Sequence, residues 1–193
     1  MAQSLKSRRR VVLDWTVSIA CAIAFVLAFE AEVAKPFRIP SASMEPTLHC
    51  ARPAQGCQAE FSDRVLVDRV TYRFRAPHRG EVVVFAAPRA TTAACGMSGT
   101  FVKRIVGLPG DLVSERDGRV LIDGRALSEP YLDARERDRT TRVWGRVAPG
   151  RYFVMGDNRI DSCDSRRWGT VPRSAIVGRV IATYWPPGRI HLW

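Results

Sequence analysis

The sequence predicts an all-β domain behind a single N-terminal transmembrane helix. The sheet is expected to be twisted and partly closed, with a small β lobe inserted in it. Three observations predict this class. One apolar run, residues 11–29, is long enough to cross a bilayer. Beyond it, helical periodicity is scarce, and short β-branched or aromatic runs alternate with Gly, Pro and Asp turn signals. The chain has 193 residues, 46% of them hydrophobic, which is enough for one packed domain with a smaller appendage. It shows neither a solenoid-period repeat nor a long low-complexity tract.

The anchor comes first. Val11 to Phe29 reads VVLDWTVSIACAIAFVLAF, and Asp14 is its only charge. Lys6, Arg8, Arg9 and Arg10 precede it, so the positive-inside rule places residues 1–10 in the cytoplasm. Residues 11–30 are then the anchor in the cell membrane, and residues 31–193 form the extracytoplasmic domain. A cleavable signal peptide would share the basic start and apolar run. The following EAEVAKPF offers only AEVA, residues 31–34, as a weak small-x-small site, so a retained anchor is expected. The net charge of +11 suits either nucleic acid or an anionic membrane surface. With no zinc-finger spacing or RNA-binding signature, membrane lipid is the expected acidic partner and nucleic acid is not.

Next comes PSASMEPTL, residues 40–48. Ser41 and Ser43 stand one residue apart between Pro40 and Pro46, with Met44 behind them. Taken alone, a Pro/Ser cluster reads as a turn. Four cysteines follow the anchor: Cys50, Cys57, Cys95 and Cys163. In an oxidising compartment they can pair in three ways. Cys50 and Cys57 flank the short loop CARPAQGC and are the easiest pair to close. The spacing fits no common zinc site, and no metal or cofactor is expected.

The strand candidates then run in order: 64–70, 80–88, 100–111, 119–124, 151–157 and 175–186. The stretch ERDGRVLIDGRALSEPYL looks like a hairpin and its exit. With the Arg-rich DARERDRTTRVWGRVAPG it makes up the lobe, at about 112–150.

If one of the two serines is a nucleophile, it needs a base. His49 sits beside a cysteine in a loop, His78 lies in a turn and His191 is near the end of the chain. None is followed by a context that suggests an orienting carboxylate. Lys103 is the better candidate. Of the 30 basic residues only Lys6, Lys35 and Lys103 are lysine, and all the others are arginine. A lysine kept inside the apolar run FVKRIVG therefore asks for a reason. Unlike arginine, lysine can be buried neutral. On a strand Lys103 and Arg104 point to opposite faces, so one can enter an apolar interior while the other finds solvent or a carboxylate. Phe101, Val102, Ile105 and Val106 surround Lys103 in sequence, and burial among them would lower its pKa. A snorkelling lysine at a strand end is the plain alternative.

Three stretches taken together carry a resemblance: PSASMEPTL, FVKRIVGLPGD and MGDNRIDSCDSRRWGTVP. In order and spacing, and behind an anchor, they resemble the boxes of type I signal peptidases, the Ser-Lys membrane proteases related in fold to LexA. The resemblance covers most of residues 10–190. It implies that Ser43 is the nucleophile and Lys103 the general base. It also implies that the Ser41 hydroxyl and the Ser43 N–H form the oxyanion hole. Ser162 would orient the lysine amine, supported by Asp164, Arg166 and Asp157, the last within the Gly156–Asp157–Asn158 turn. Phe37, Ile39, Met44, Leu48, Phe101 and Val102 would line shallow pockets that accept alanine-sized side chains. The implied substrates are preproteins, cut after a small-x-small motif by a monomer that needs no cofactor.

The chain departs from the family where GDNRDNS is usual and GDNRIDS stands here. Ile160 replaces an acidic residue and Asp161 an amide. This leaves the ion-pair partner of Arg159 in question, with Asp161 as a substitute. FSDRVLVDR also lacks a glycine usual before that strand, so a changed turn is expected. Two other classes compete. A LexA-like self-cleaving regulator would share the dyad, but the anchor argues against it. A non-enzymatic membrane-anchored binding domain would use the serines only as turn residues, and a Lys103-dependent acylation test would separate it. A peptidase dedicated to one secreted or conjugative protein is a narrower form of the main reading.

Overall fold

The computed structural model describes residues 2–193, side chains excepted at 2–10, 29–32 and 136. The basic cluster read at Lys6, Arg8, Arg9 and Arg10 therefore lies outside the described side chains. Helix α1 runs Ala2–Glu32, and within it Val11–Ala28 is long and apolar enough to cross a membrane. That stretch buries nothing inside the protein, as expected of a helix whose apolar surface faces something other than its own domain.

Twelve strands follow. They are β1 Ala34–Arg38, β2 Arg64–Asp68, β3 Val82–Ala86, β4 Thr100–Gly107, β5 Leu112–Arg116 and β6 Arg119–Ile122. Then come β7 Arg125–Ala126, β8 Arg142–Arg146, β9 Arg151–Met155, β10 Val171–Pro172, β11 Ile176–Trp185 and β12 His191–Leu192. Eight form one antiparallel sheet in the order β1-β2-β11-β3-β4-β9-β10, with β12 paired to β11. The other four form a second sheet, β7-β6-β5-β8. Both D-G dipeptides make tight turns there. Asp117–Gly118 joins β5 to β6 and Asp123–Gly124 joins β6 to β7, each with positive φ at both residues.

β3 shows why the main sheet reads as unbroken apolar runs. Val82 and Val84 pack into a cluster with Ile39, Met44, Leu48, Val65 and Val67 on one face. Val83 and Phe85 pack with Ile105, Tyr152, Val154 and Trp168 on the other. With both faces covered, alternation between polar and apolar residues disappears. β11 bulges twice against β2 and once against β3, which bends the sheet across its middle.

Two backbone edges stay open in this arrangement. β1 ends the sheet and pairs only with β2. β4 pairs with β3 along residues 100–104, but β9 reaches only Arg104–Gly107. Residues 100–103 therefore have one strand neighbour. The two edges are far apart in strand order, yet Phe37–Pro40 and Thr100–Lys103 line the same small cavity. Two disulfides brace this region: Cys50–Cys57, and Cys95–Cys163, which ties the short helix 90–95 to the loop after β9.

Candidate active site

The 40–48 segment leaves β1 and tightens into one 3-10 turn, Ala42–Met44. Ala42 and Met44 are buried, which fixes the turn from below and leaves Ser43 part-exposed between them. The Ser43 carbonyl accepts a hydrogen bond from the Asn158 N–H at 3.2 Å. Beneath the turn, the fully buried Glu45 carboxylate accepts from the Cys50 N–H at 3.1 Å and the Gln58 N–H at 3.4 Å, and pairs with His49 Nδ1. The disulfide loop is thus anchored under the serine turn. Before β2, Ser62 Oγ accepts from the Ala51 N–H, and Asp63 accepts from the His49 N–H and Arg189 Nε.

Lys103 arrives from β4, sixty residues away, and is 3% exposed. Its Nζ lies 2.5 Å from Ser43 Oγ and 5.8 Å from the centroid of the Phe101 ring. Burial pulls the amine down to about 8, against the opposing pull of the Asp164 and Asp157 carboxylates. At that value about a fifth of the amine is neutral near pH 7.4, compared with about 0.1% for a free lysine. Only part of the expected apolar surround shares its face. Phe101 and Ile105 pack on the Val83 side, while Val102 and Val106 belong to other clusters.

Arg104, on the opposite face, is the half of the alternation that finds a carboxylate. Its Nε and Nη2 donate to Asp157 at 2.9 and 2.6 Å, and its Nη1 donates to the Gly80 carbonyl. The guanidinium also stacks 3.8 Å over the Tyr131 ring. Both ion-pair partners are buried, so the pair fastens the strand that carries Lys103 to the turn after β9.

That turn meets the serine turn at Gly156, whose N–H donates to Asp164 Oδ2 at 3.0 Å. Asp164 is fully buried, which pushes its carboxyl up, but the paired hydrogen bonds and charge of Arg166 hold it below the ordinary carboxylate value. Arg166 also donates to Asp138 Oδ2 at 2.6 Å and to the Arg159 carbonyl at 2.8 Å. Ser162 Oγ is buried beside these groups. It has no partner at hydrogen-bond geometry among the described residues, although the Asp164 carboxylate is near enough to feel its dipole. Lys103 Nζ makes its hydrogen bond to Ser43, not to Ser162. Ser41 is exposed, its hydroxyl 3.4 Å from that of Ser43.

Two sequence expectations need correction. Leu48 does not line the site; it is fully buried in the core below Met44, because the chain has already turned inward there. The other five predicted pocket residues, Phe37, Ile39, Met44, Phe101 and Val102, do line a cavity of about 70 Å³ against Ser43 and Lys103. Nor does Asp161 pair with Arg159. Arg159 is fully buried and bonds Glu129, while its Nε donates to the Gly156 carbonyl at 3.0 Å. Asp161 and Ile160 are exposed instead.

Sequence reasoning missed Glu129, Asp138 and Glu45, all in polar loops without periodicity. Glu129→Ala is expected to cost about 3–5 kcal/mol, because it leaves a buried guanidinium unpaired. Chemical denaturation of the two proteins measures it; unchanged stability would mean that Arg159 finds another acceptor.

The arrangement can do acyl chemistry. A hydroxyl touches a buried amine of lowered basicity, and N–H and O–H donors stand beside it. A cleft of about 550 Å³ opens over the pair, lined also by Gln55, Met97, Ser98 and Asp161.

The family model described as Signal peptidase, peptidase S26, matches residues 12–185. Probable signal peptidase I-2 of Synechocystis sp. is 37% identical over 180 residues, 93% of this chain and 76% of that protein. Signal peptidase I of Leptolyngbya laminosa is 36% identical over 182 residues, 93% of this chain and 82% of the other. A solved signal peptidase I from Enterococcus faecalis is 32% identical, with a TM-score of 0.45 over 54% of this chain and 97% of that one.

Proposed function

The chain belongs to the signal peptidase family, peptidase S26, and from that premise we propose that it is a serine endopeptidase that removes N-terminal signal peptides from exported preproteins. The observation that carries the reading is the 2.5 Å contact between buried Lys103 Nζ and Ser43 Oγ. Neutral Lys103 takes the Ser43 proton as Oγ attacks the scissile carbonyl. The Ser43 N–H and the Ser41 hydroxyl receive the oxyanion. The leaving amine departs with the proton, an ester remains on Ser43, and Lys103 then activates water to release it. Ser162 helps to orient the amine, and the Asp164–Arg166 and Arg104–Asp157 pairs hold the surrounding turns.

The substrate lies as an extended segment between the open edges of β1 and β4, where unpaired backbone groups wait for a strand. A sheet that curls to bring those edges together is partly closed in this sense. The cavity beside Ser43 is small, about 70 Å³. It selects small side chains by excluding large ones, which is the basis of a small-x-small preference. The apolar stretch of α1 holds the domain at the outer face of the cell membrane, residues 1–10 remain in the cytoplasm, and residues from about 112 to 150 form the inserted lobe.

The test is incubation of the full chain in detergent with a preprotein, followed by N-terminal sequencing of the product. Cleavage after a small-x-small site by the wild type, and none by Ser43→Ala with an unchanged melting temperature, is the expected result. Normal turnover in Ser43→Ala would remove the nucleophile assignment.

A further inference from the structure

We infer that Asp161 makes the enzyme prefer a basic side chain, lysine or arginine, among the first residues past the scissile bond; this rests on the peptidase reading above. Two cavities meet at Ser43 and Lys103, which line both. The smaller, with Phe37, Ile39, Met44 and Val102, takes the acyl half of the substrate along the β1 and β4 edges. The leaving half must then run through the larger cleft, past Gln55, Met97, Ser98 and Asp161.

Only two charged residues line that cleft, Lys103 and Asp161. Lys103 is 3% exposed and occupied with Ser43. Asp161 is exposed and therefore presents the cleft's open charge. Its position is built rather than incidental. Its N–H donates to Asn158 Oδ1 at 3.0 Å, in the same turn whose Asn158 N–H holds the Ser43 carbonyl. Its Oδ2 lies over Gly56 of the Cys50–Cys57 loop, 2.7 Å from where a Cβ would stand. The backbone of Asp161 is thus fixed in the turn that also holds Ser43, and its carboxylate lies beside the disulfide loop. No ion pair among the described residues neutralises it, in a chain whose net charge is +11. An exposed carboxylate in this cleft attracts a basic side chain and disfavours an acidic one.

The experiment uses the full chain in detergent and peptides with one small-x-small site. Lys, Gln or Glu is placed singly at each of the three positions before and the three after the bond. For the wild type, kcat/KM should favour Lys over Glu about two- to fivefold at one or more positions after the bond, the range of an exposed ion pair. The preference should shrink as salt is added. In Asp161→Asn the ratio should fall towards one, and in Asp161→Lys it should invert. The Gln peptide is the internal reference for each form. Equal ratios in the wild type and Asp161→Lys, or a preference seen only before the bond, would overturn the inference while leaving the peptidase reading intact. Failure of every form to cut the Gln peptide would defeat the peptidase reading and this inference with it.

Discussion

Lys103→Arg is expected to lose all measurable turnover while folding normally. If Lys103 supplied only positive charge, arginine should serve, since this chain uses it at every basic position except three. A guanidinium cannot give up its proton at any working pH, so it cannot take one from Ser43. The same argument fixes the pH profile. The base must be neutral to act, so kcat/KM should rise with pH, with its midpoint at about 8 where burial has set the amine. The carboxylates of Asp164 and Asp157 hold the midpoint up against that burial, so neutralising Asp164 should move it downward if the fold survives. Substantial activity in Lys103→Arg would end the role of Lys103 as base. A midpoint near 10.4, the free-lysine value, would keep the role but reject burial as the means of activation.

The features that could be read in advance were those carried by local chemistry. The alternation of Lys103 and Arg104 put the two side chains on opposite faces, but that Arg104 pairs with Asp157 could not be read from it. The long apolar runs of β3, β4, β9 and β11 were visible because both faces of the sheet are covered. β1 gave little signal: AKPFR is short, charged and contains a proline, which an edge strand tolerates because one side of it is unpaired. β5 and β8 are interrupted by Ser, Glu, Arg and Gly, so their apolar pattern is thin. The partners of Arg159 and Arg166 could not be found from spacing. Glu129 and Asp138 lie 30 and 28 residues away in irregular chain, and only the fold brings them in. Leu48 was misplaced for a similar reason, since nothing local reveals that the chain has turned into the core by that point.

Gly156→Ala is expected to damage stability and turnover together, through space and not through backbone conformation. Gly156 is not among the glycines with positive φ, so alanine could adopt its backbone angles. What forbids it is proximity. A Cβ there would stand 2.2 Å from Ser162 Oγ and 2.3 Å from the Ser43 carbonyl oxygen. A real carbon needs about an ångström beyond that, and the obstacle includes the backbone of Ser43 itself. At Gly156 the serine turn would have to move away from Lys103, or the Asn158–Ser43 and Gly156–Asp164 hydrogen bonds would have to break. Overpacking of this kind costs about 1–3 kcal/mol, and a displacement of about 1 Å at a reacting pair can cost about 10²-fold in rate. Thermal melts and preprotein cleavage measure the two effects. Labelling of Ser43 by an acylating inhibitor distinguishes a displaced serine from an unfolded one. A Gly156→Ala protein with wild-type melting and turnover would show that the two turns are not in contact as described, and the close approach of Ser43 to Lys103 would lose its structural cause.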